Sequence, residues 1–217
     1  MIIAPSLLSC DFLNIETELK YFDGMENVWL HLDIMDGHFV PNLTFGPPIV
    51  KMISEKTNVP LDAHCMVTNP RWHMEAYSKM GVHNFTFHLE ACDDPLALIN
   101  DAKKLYKSVG ISIKPNTAVS EVSEEVLAAI DLLLVMSVEP GFGGQSFMEG
   151  TYDKLDQIQN LKNEKGLDFH VQVDGGVGEG NCKKLADHGA TNLVAGSFVF
   201  KKGPEHYHNQ INTLKGE

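Results

Sequence analysis

Basic residues are scarce in this sequence. Seventeen lysines and arginines stand against 29 aspartates and glutamates, which gives a formal net charge of −12 at pH 7. A surface of this sign repels nucleic acid and anionic lipid. We therefore expect no nucleic-acid partner, and any anionic ligand must be held by a local arrangement of the chain.

Long hydrophobic runs are also missing. The apolar run IDLLLVM at 130–136 is much shorter than the roughly 20 residues that a transmembrane helix needs. The N-terminal MIIAPSLLSCDF has no basic segment followed by a long apolar region, and it does not resemble a plastid transit peptide. We therefore predict no membrane partner and a cytoplasmic location.

Cysteine is rare, and the four cysteines at 10, 65, 92 and 182 form no C-x-x-C pair. This spacing gives no support for a disulfide framework or a thiolate zinc site, so the thiols are expected to be reduced. No linker, low-complexity tract or shift of composition divides the chain. We therefore predict a single domain over residues 1–217.

Short β-rich runs alternate with helical patterns along the whole chain. Such alternation predicts an α/β fold with parallel strands, here a single (β/α)8 TIM barrel, and a doubly wound open sheet is the alternative. Several predicted helices begin at proline, which suits the first helical turn. The predicted strands are 2–6, 28–34, 61–67, 84–90, 110–115, 132–138, 169–175 and 192–197, and the predicted helices are 14–22, 47–56, 70–79, 95–108, 122–128, 151–165, 180–188 and 204–214.

Two histidines and two aspartates fall toward the downstream ends of predicted strands, where a TIM barrel carries its chemistry. Side chains two apart on a strand share a face, so His31 and Asp33 point the same way. If His64 and Asp174 face the same interior, the set could bind a divalent zinc, iron, manganese or cobalt ion through nitrogen and oxygen. A metal would explain why a core strand carries charge. An isolated strand histidine is more often a hydrogen-bonded core residue.

Three methionines, Met35, Met66 and Met136, lie at the same predicted rim. Singly they would be gap-filling core residues; together they could form an apolar floor beneath a metal and a substrate. His88 and Glu90 form a further polar pair in the predicted fourth strand. No third feature accompanies this pair, so a structural or supporting role is expected for it.

Glycine-rich segments follow the last three predicted strands: PGFGGQSF at 140–147, DGGVGEG at 174–180 and AGS at 195–197. Glycine lets backbone N–H groups approach a phosphate closely, and barrels often bind phosphate after strands 7 and 8. A single glycine pair would indicate only a turn. The candidate phosphate-binding residues are Gly143, Gly144, Gly175, Gly176, Gly196 and Ser197.

Longer motifs resemble the ribulose-phosphate 3-epimerase family over essentially the whole chain. They are IAPSLLSCDF, HLDIMDGHFVPNLTFGP, LDAHCMV, LVMSVEPGFGGQSF, VDGGV and VAGSFVF. The resemblance implies a TIM barrel that interconverts D-ribulose 5-phosphate and D-xylulose 5-phosphate through an enediolate stabilised by one divalent metal ion per subunit. It also implies a homo-oligomer, either a dimer or a hexamer.

Carried over residue by residue, the resemblance assigns the metal to the same two histidines and two aspartates. Asp33 and Asp174 become the acid/base pair, Ser6 contacts the substrate, and the glycine segments bind its phosphate. From their position at the predicted rim, His64 and the three methionines are expected to contact the substrate as well. Two departures are visible. Cys65 stands where the family usually has leucine, and Asn116 interrupts the K-P-G-T form of the loop after strand 5.

Two alternatives remain open. D-Allulose 6-phosphate 3-epimerases resemble this family so closely that they share the acid/base and metal sets, and only pocket length separates the two. A non-catalytic sugar-phosphate-binding barrel is the second alternative, although binding alone does not require an acid on each face of the sugar.

Overall fold

The computed structural model describes residues 1–217, and its centre is a parallel sheet of eight strands. Every predicted strand overlaps an observed one, although the fourth and fifth begin two residues earlier than predicted. In chain order the strands are β1 (Ile2–Pro5), β2 (Leu30–Met35), β3 (Leu61–Met66), β4 (Val82–His88), β5 (Ser108–Ile113), β6 (Leu132–Met136), β7 (His170–Asp174) and β8 (Asn192–Ala195).

The sheet curls into a barrel. Its strands are hydrogen-bonded in the order β1-β8-β7-β6-β5-β4-β3-β2, and all pairs are parallel. Two isolated parallel bridges, Ile3 with Val28 and Ser6 with His31, join the two ends of this order. The predicted (β/α)8 barrel is therefore confirmed, and the open-sheet alternative is wrong.

Helices follow the strands and cover the outside of the barrel. Pro47, Pro70 and Pro95 occupy first-turn positions of their helices, as predicted. The α-helices are α1 (Ile15–Lys20), α2 (Pro47–Ser54), α3 (Pro70–Tyr77), α4 (Pro95–Ala102), α5 (Glu124–Ala129), α6 (Thr151–Lys165), α7 (Cys182–Asp187), α8 (Ser197–Phe200) and α9 (Tyr207–Lys215).

Two helix predictions need correction. The fourth helix ends at Ala102 rather than Ser108, because Ser108 already begins β5. The short helix α8 was not predicted, since its sequence SFVF looks like a continuation of the preceding strand. None of the nine α-helices is both long and apolar enough to cross a membrane.

The two faces of each strand differ in character. On β2, Leu30, Leu32 and Ile34 belong to the main apolar core between sheet and helices. The alternate residues, His31 and Asp33, point into the barrel and are buried there as polar groups. The barrel interior is consequently more polar than its outer layer, and this places titratable groups at the centre of the fold.

Candidate active site

A cleft opens at the C-terminal ends of the strands. Loops after the first, sixth, seventh and eighth strands surround it. His31 and His64 are fully buried and reach the same place through contacts with Asp33 and Asp174. The other predicted site residues line the cleft directly: Ser6, Asp33, Met35, Met66, Met136, Gly143, Gly144, Asp174, Gly175, Gly176, Gly196 and Ser197.

Four side chains converge at the base of the cleft. One ligand atom from each of His31, Asp33, His64 and Asp174 lies within 4.8 Å of all the others. His31 Nε2 is 3.6 Å from Asp33 Oδ1 and 3.7 Å from Asp174 Oδ2. His64 Nδ1 is 3.7 Å and 3.5 Å from the same two oxygens. The structure therefore brings together the predicted ligand set from three strands.

This cluster fits a divalent metal ion. His31 Nε2 and His64 Nδ1 are buried and have no hydrogen-bond partner, which is costly for polar nitrogens. The nitrogen-to-oxygen spacings are 3.5–3.7 Å, and the four ligand atoms all lie within 4.8 Å of one another, close enough for one ion to contact them all. Two imidazole nitrogens and two carboxylates also suit zinc and the neighbouring divalent metals.

The proton of His31 is placed by a buried carboxylate below the cluster. His31 Nδ1 is 2.8 Å from Asp62 Oδ2, and a carboxylate can only accept this hydrogen bond. Asp62 also accepts hydrogen bonds from Asn84 at 2.6 Å and from Gln172 at 2.7 Å. The lone pair of His31 Nε2 is thereby directed at the cluster. Asp62 was not among the predicted site residues, although it lies two residues before His64 and so shares its inward face.

His64 makes a different contact. Its Nε2 lies 2.9 Å from His88 Nε2, and His88 Nδ1 lies 3.1 Å from Glu90 Oε2. Burial lowers the pKa of His88 to about 4, against the opposing effect of Glu90. Burial also opposes ionisation of Glu90, but hydrogen bonds from His88 and Thr117 outweigh it and lower the Glu90 pKa to about 2. A carboxylate therefore stands beyond a neutral imidazole.

Charge is balanced within the four-residue cluster. Burial alone would lower the pKa of His31, but the negative charges of Asp33 and Asp62 raise it well above its ordinary value. Burial would raise the pKa of Asp33, but His31 and His64 lower it well below its ordinary value. Burial opposes ionisation of Asp174 as well, but its close contacts with His31 and His64 lower the pKa of Asp174. The cluster therefore favours anionic carboxylates, which suit a site for a cation.

Ser6 adds a direct contact to this cluster. Its hydroxyl donates a hydrogen bond of 2.6 Å to Asp33 Oδ2, and both side chains are buried. Asp33 Oδ1 faces the histidines instead. The two oxygens of Asp33 consequently have different neighbours, one a hydroxyl and the other the cluster centre.

The three predicted methionines all line the cleft but belong to two packing groups. Met35 and Met66 form an apolar group with Val40, against which Leu8 and Phe39 pack. Met136 packs with the inward-facing residues of β6 and Val138. The apolar floor therefore has two parts, one at the ends of β2 and β3 and one at the end of β6.

The glycine segments bring bare backbone to the cleft. A methyl group added at Gly176 would lie 2.6 Å from Phe147 N, and Gly176 has a φ of +62°. At Gly175, with φ +122°, an added methyl group would lie 2.5 Å from Val138. Only glycine satisfies both the conformation and the space at these two positions.

Fold and site together define a (β/α)8-barrel protein with a four-residue His/Asp cluster under a glycine-lined cleft. A solved structure from the tryptophan synthase complex of Pyrococcus furiosus has the same fold, with a TM-score of 0.67, 17% identity and coverage of 100% of this chain and 98% of that chain. This likeness concerns the fold alone.

Sequence comparison is more specific. The model of the ribulose-phosphate 3 epimerase family matches residues 2–200. The ribulose-phosphate 3-epimerase of Mycobacterium bovis is 41% identical over 200 residues, covering 92% of this chain and 86% of that protein. The cytoplasmic isoform of rice, Oryza sativa subsp. japonica, is 44% identical over 201 residues, covering 91% of this chain and 86% of that protein.

The chain belongs to the ribulose-phosphate 3-epimerase family. The resemblance stated from the motifs is therefore confirmed, and so is the prediction of an isomerase acting on carbohydrates at the level of the family.

Proposed function

We propose that this protein interconverts D-ribulose 5-phosphate and D-xylulose 5-phosphate by inverting carbon 3. The observation that carries the proposal is the convergence of Asp33 and Asp174 on one buried cluster at the base of the cleft. The relatives are ribulose-phosphate 3-epimerases, and this supports the choice of substrate.

Inversion next to a ketone needs two proton-transfer groups. One removes the proton from one face of the carbon, and the other returns a proton to the opposite face of the planar enediolate. Asp33 lies on β2 and Asp174 at the end of β7, so the two carboxylates come from different parts of the barrel wall. Both line the cleft and are therefore accessible to a substrate. We assign them as the acid/base pair.

His31, Asp33, His64 and Asp174 would hold one divalent ion, with zinc, iron(II), manganese and cobalt as the candidates. Such an ion, when bound, polarises the substrate carbonyl and stabilises the negative charge that develops on proton removal. His31 Nε2 and His64 Nδ1, which have no hydrogen-bond partner, would be the two nitrogen ligands of the ion.

The remaining cleft residues would bind the rest of the substrate. Ser6 and the methionines Met35, Met66 and Met136 would contact the sugar from the floor. The backbone N–H groups around Gly143, Gly144, Gly175, Gly176, Gly196 and Ser197 would hold the phosphate, because an acidic protein needs close backbone approach rather than a positive surface.

Deuterium exchange tests the proposal directly. The metal-analysed protein is incubated with D-ribulose 5-phosphate in deuterated water and followed by NMR. We expect D-xylulose 5-phosphate carrying deuterium at carbon 3. Exchange without the epimer would leave only one working acid/base face. Absence of exchange in a metal-replete sample would contradict the proposal, and faster turnover of D-allulose 6-phosphate would favour that substrate instead.

Self-association is the second part of the proposal. The loops after β1 and β2 expose apolar side chains, with Leu13 at 94% and Leu43 at 74% exposure. Phe12, next to Leu13, contacts Phe45 with a ring-centroid distance of 5.2 Å, so the two loops adjoin. Exposed apolar patches of this kind mark interaction sites. A homodimer or homohexamer is expected in light-scattering measurements, and a cytoplasmic location is proposed with it.

A further inference from the structure

We propose that His88 and Glu90 are positioning residues that fix the proton of His64 on Nε2 and so leave its Nδ1 free to bind the metal ion. This inference rests on the metal site proposed above. It concerns two side chains that do not themselves face the cluster centre. Metal-ligating histidines commonly donate their second ring N–H to a partner that sets their orientation. Here that partner is a second histidine.

The proton positions follow from the contacts. His64 Nδ1 faces Asp33 and Asp174, so a metal-binding His64 carries its proton on Nε2. His64 Nε2 then donates to His88 Nε2 across 2.9 Å, and His88 Nε2 must be the acceptor. The proton of His88 therefore lies on Nδ1, 3.1 Å from Glu90 Oε2. The carboxylate accepts that proton and can donate none.

Glu90 is itself held in place. Its Oε1 accepts hydrogen bonds from the backbone N–H of Lys114 at 2.8 Å and from the hydroxyl of Thr117. Since Oε1 is used by these two donors, Oε2 is left for His88. Two donors in the loop after β5 thus fix the orientation of the Glu90 carboxylate independently of His88.

Aromatic packing fixes the ring of His88. Phe39 lies on one side with a ring-centroid distance of 4.7 Å, and the ring of His64 is stacked at 5.0 Å. The ammonium of Lys114 lies 4.0 Å from the centre of the Phe39 ring, on the loop that also holds Glu90. A ring enclosed in this way keeps its orientation, so the location of its proton determines which nitrogen can accept.

The two ligating histidines are therefore oriented by different means. His31 is hydrogen-bonded directly to the carboxylate of Asp62, while His64 is connected to the carboxylate of Glu90 through the imidazole of His88. The longer connection makes the second ligand depend on a residue outside the barrel interior. A change at Glu90 should accordingly alter the metal site without removing any ligand.

The substitution Glu90→Gln is the sharpest test. The amide oxygen of Gln can still accept from Lys114 and Thr117, but its NH₂ group would then face His88 Nδ1 and donate to it. The proton of His88 must then move to Nε2, where it faces the proton on His64 Nε2, and the hydrogen bond between the two rings is lost. We expect Co²⁺ affinity, measured by competition with a chelator, to fall by ~10- to 100-fold. Glu125→Gln makes the same chemical change at an exposed glutamate of α5 and serves as the matched control, with affinity near that of wild type.

A second pair of variants separates positioning from packing. His88→Gln offers an amide oxygen to His64 Nε2, while His88→Phe fills the space and offers no acceptor. We expect His88→Gln to retain more Co²⁺ affinity than His88→Phe, and the visible spectrum of bound Co²⁺ to be altered in His88→Phe. Long-range ¹H–¹⁵N NMR of the zinc-loaded wild type should find His64 protonated on Nε2 and His88 on Nδ1.

The outcomes are distinct. Tight Co²⁺ binding by wild type with unchanged affinity in Glu90→Gln and His88→Phe would overturn the positioning role and leave the metal site standing. A His88 protonated on Nε2 in the zinc-loaded protein would overturn it as well. Failure of wild type to bind Co²⁺ or zinc would overturn both the metal site and this inference.

Discussion

Ser6 Oγ donates a hydrogen bond of 2.6 Å to Asp33 Oδ2, which joins the end of β1 to the acidic cluster. A hydrogen bond to a charged group contributes about 1.5–3 kcal/mol, so Ser6→Ala should lower kcat by roughly 10- to 100-fold. Ser6→Thr keeps the hydroxyl and is the control. Steady-state kinetics on D-ribulose 5-phosphate would check this, and an unchanged kcat in Ser6→Ala would separate the hydrogen bond from catalysis.

Much of this site could be predicted because it depends on strand periodicity. His31 and Asp33 are two residues apart on one strand, and that spacing alone places them on the same face. The barrel topology then brings His64 and Asp174 to the same end. The alternation of side chains along a strand and the position of a barrel's chemistry at the C-terminal strand ends were therefore sufficient to predict these four residues from the sequence.

The supporting contacts depend on register, which periodicity does not give. His64 is paired with Thr86 across the sheet, yet its ring meets His88 two residues further on. The role of Asp62 could not be predicted without the strand register that places Asn84 and Gln172 as hydrogen-bond donors beside it. The end of the fourth helix was predicted too late for a different reason. No glycine or proline separates Ala102 from Ser108, so the sequence carries no signal for the end of the helix.

The acid/base assignment predicts the effect of removing either carboxylate. Asp33→Asn and Asp174→Asn keep the side-chain size but cannot exchange a proton at neutral pH, so turnover should fall by at least ~100-fold in each. Activity is measured in both directions of the reaction. Near-normal turnover in either variant would remove that aspartate from the mechanism. Asp93→Asn, an exposed change on the loop after β4, is the control for general loss of charge.

Asp62 should matter for stability as well as for the site. It is fully buried and accepts hydrogen bonds from His31, Asn84 and Gln172. In Asp62→Asn an NH₂ group replaces one accepting oxygen and leaves at least one buried donor without a partner, at a cost of about 1–3 kcal/mol. Urea unfolding would measure this loss. Equal midpoints for wild type and variant would contradict the buried network.

Asp36 predicts a pH dependence away from the cluster. Its carboxylate accepts from the backbone N–H groups of His38, Phe39 and Thr68 and from the Thr68 hydroxyl. Partial burial opposes ionisation, but these hydrogen bonds lower the pKa of Asp36 well below its usual range. Because the folded pKa is lowered, the stabilisation is present above the unfolded pKa of about 3.9 and is lost as pH falls through the folded value.

Asp36→Ala should therefore be less stable than wild type by about 1–3 kcal/mol at pH 7. The difference between the two proteins should narrow as pH falls below about 4. Unfolding midpoints measured from pH 7 down to the lowest pH at which both proteins fold would check this. A difference that stays constant with pH would mean that Asp36 contributes through packing rather than through its charge.

Gly176 predicts a defect in substrate binding rather than in proton transfer. In Gly176→Ala the new methyl group would lie 2.6 Å from Phe147 N and 2.9 Å from Phe147 Cα, and the φ of +62° disfavours any side chain. The loop must shift to relieve this contact, and displacements of about 1 Å in a binding site can cost up to ~100-fold. We expect KM for D-ribulose 5-phosphate to rise at least ~10-fold, with a smaller change in kcat, and inhibition by inorganic phosphate to weaken in parallel.

Gly180→Ala, in the same loop, has no heavy atom within 4 Å of the new methyl group and should leave KM unchanged. A Gly176→Ala protein with normal KM, or one in which kcat alone falls, would place the phosphate elsewhere in the cleft.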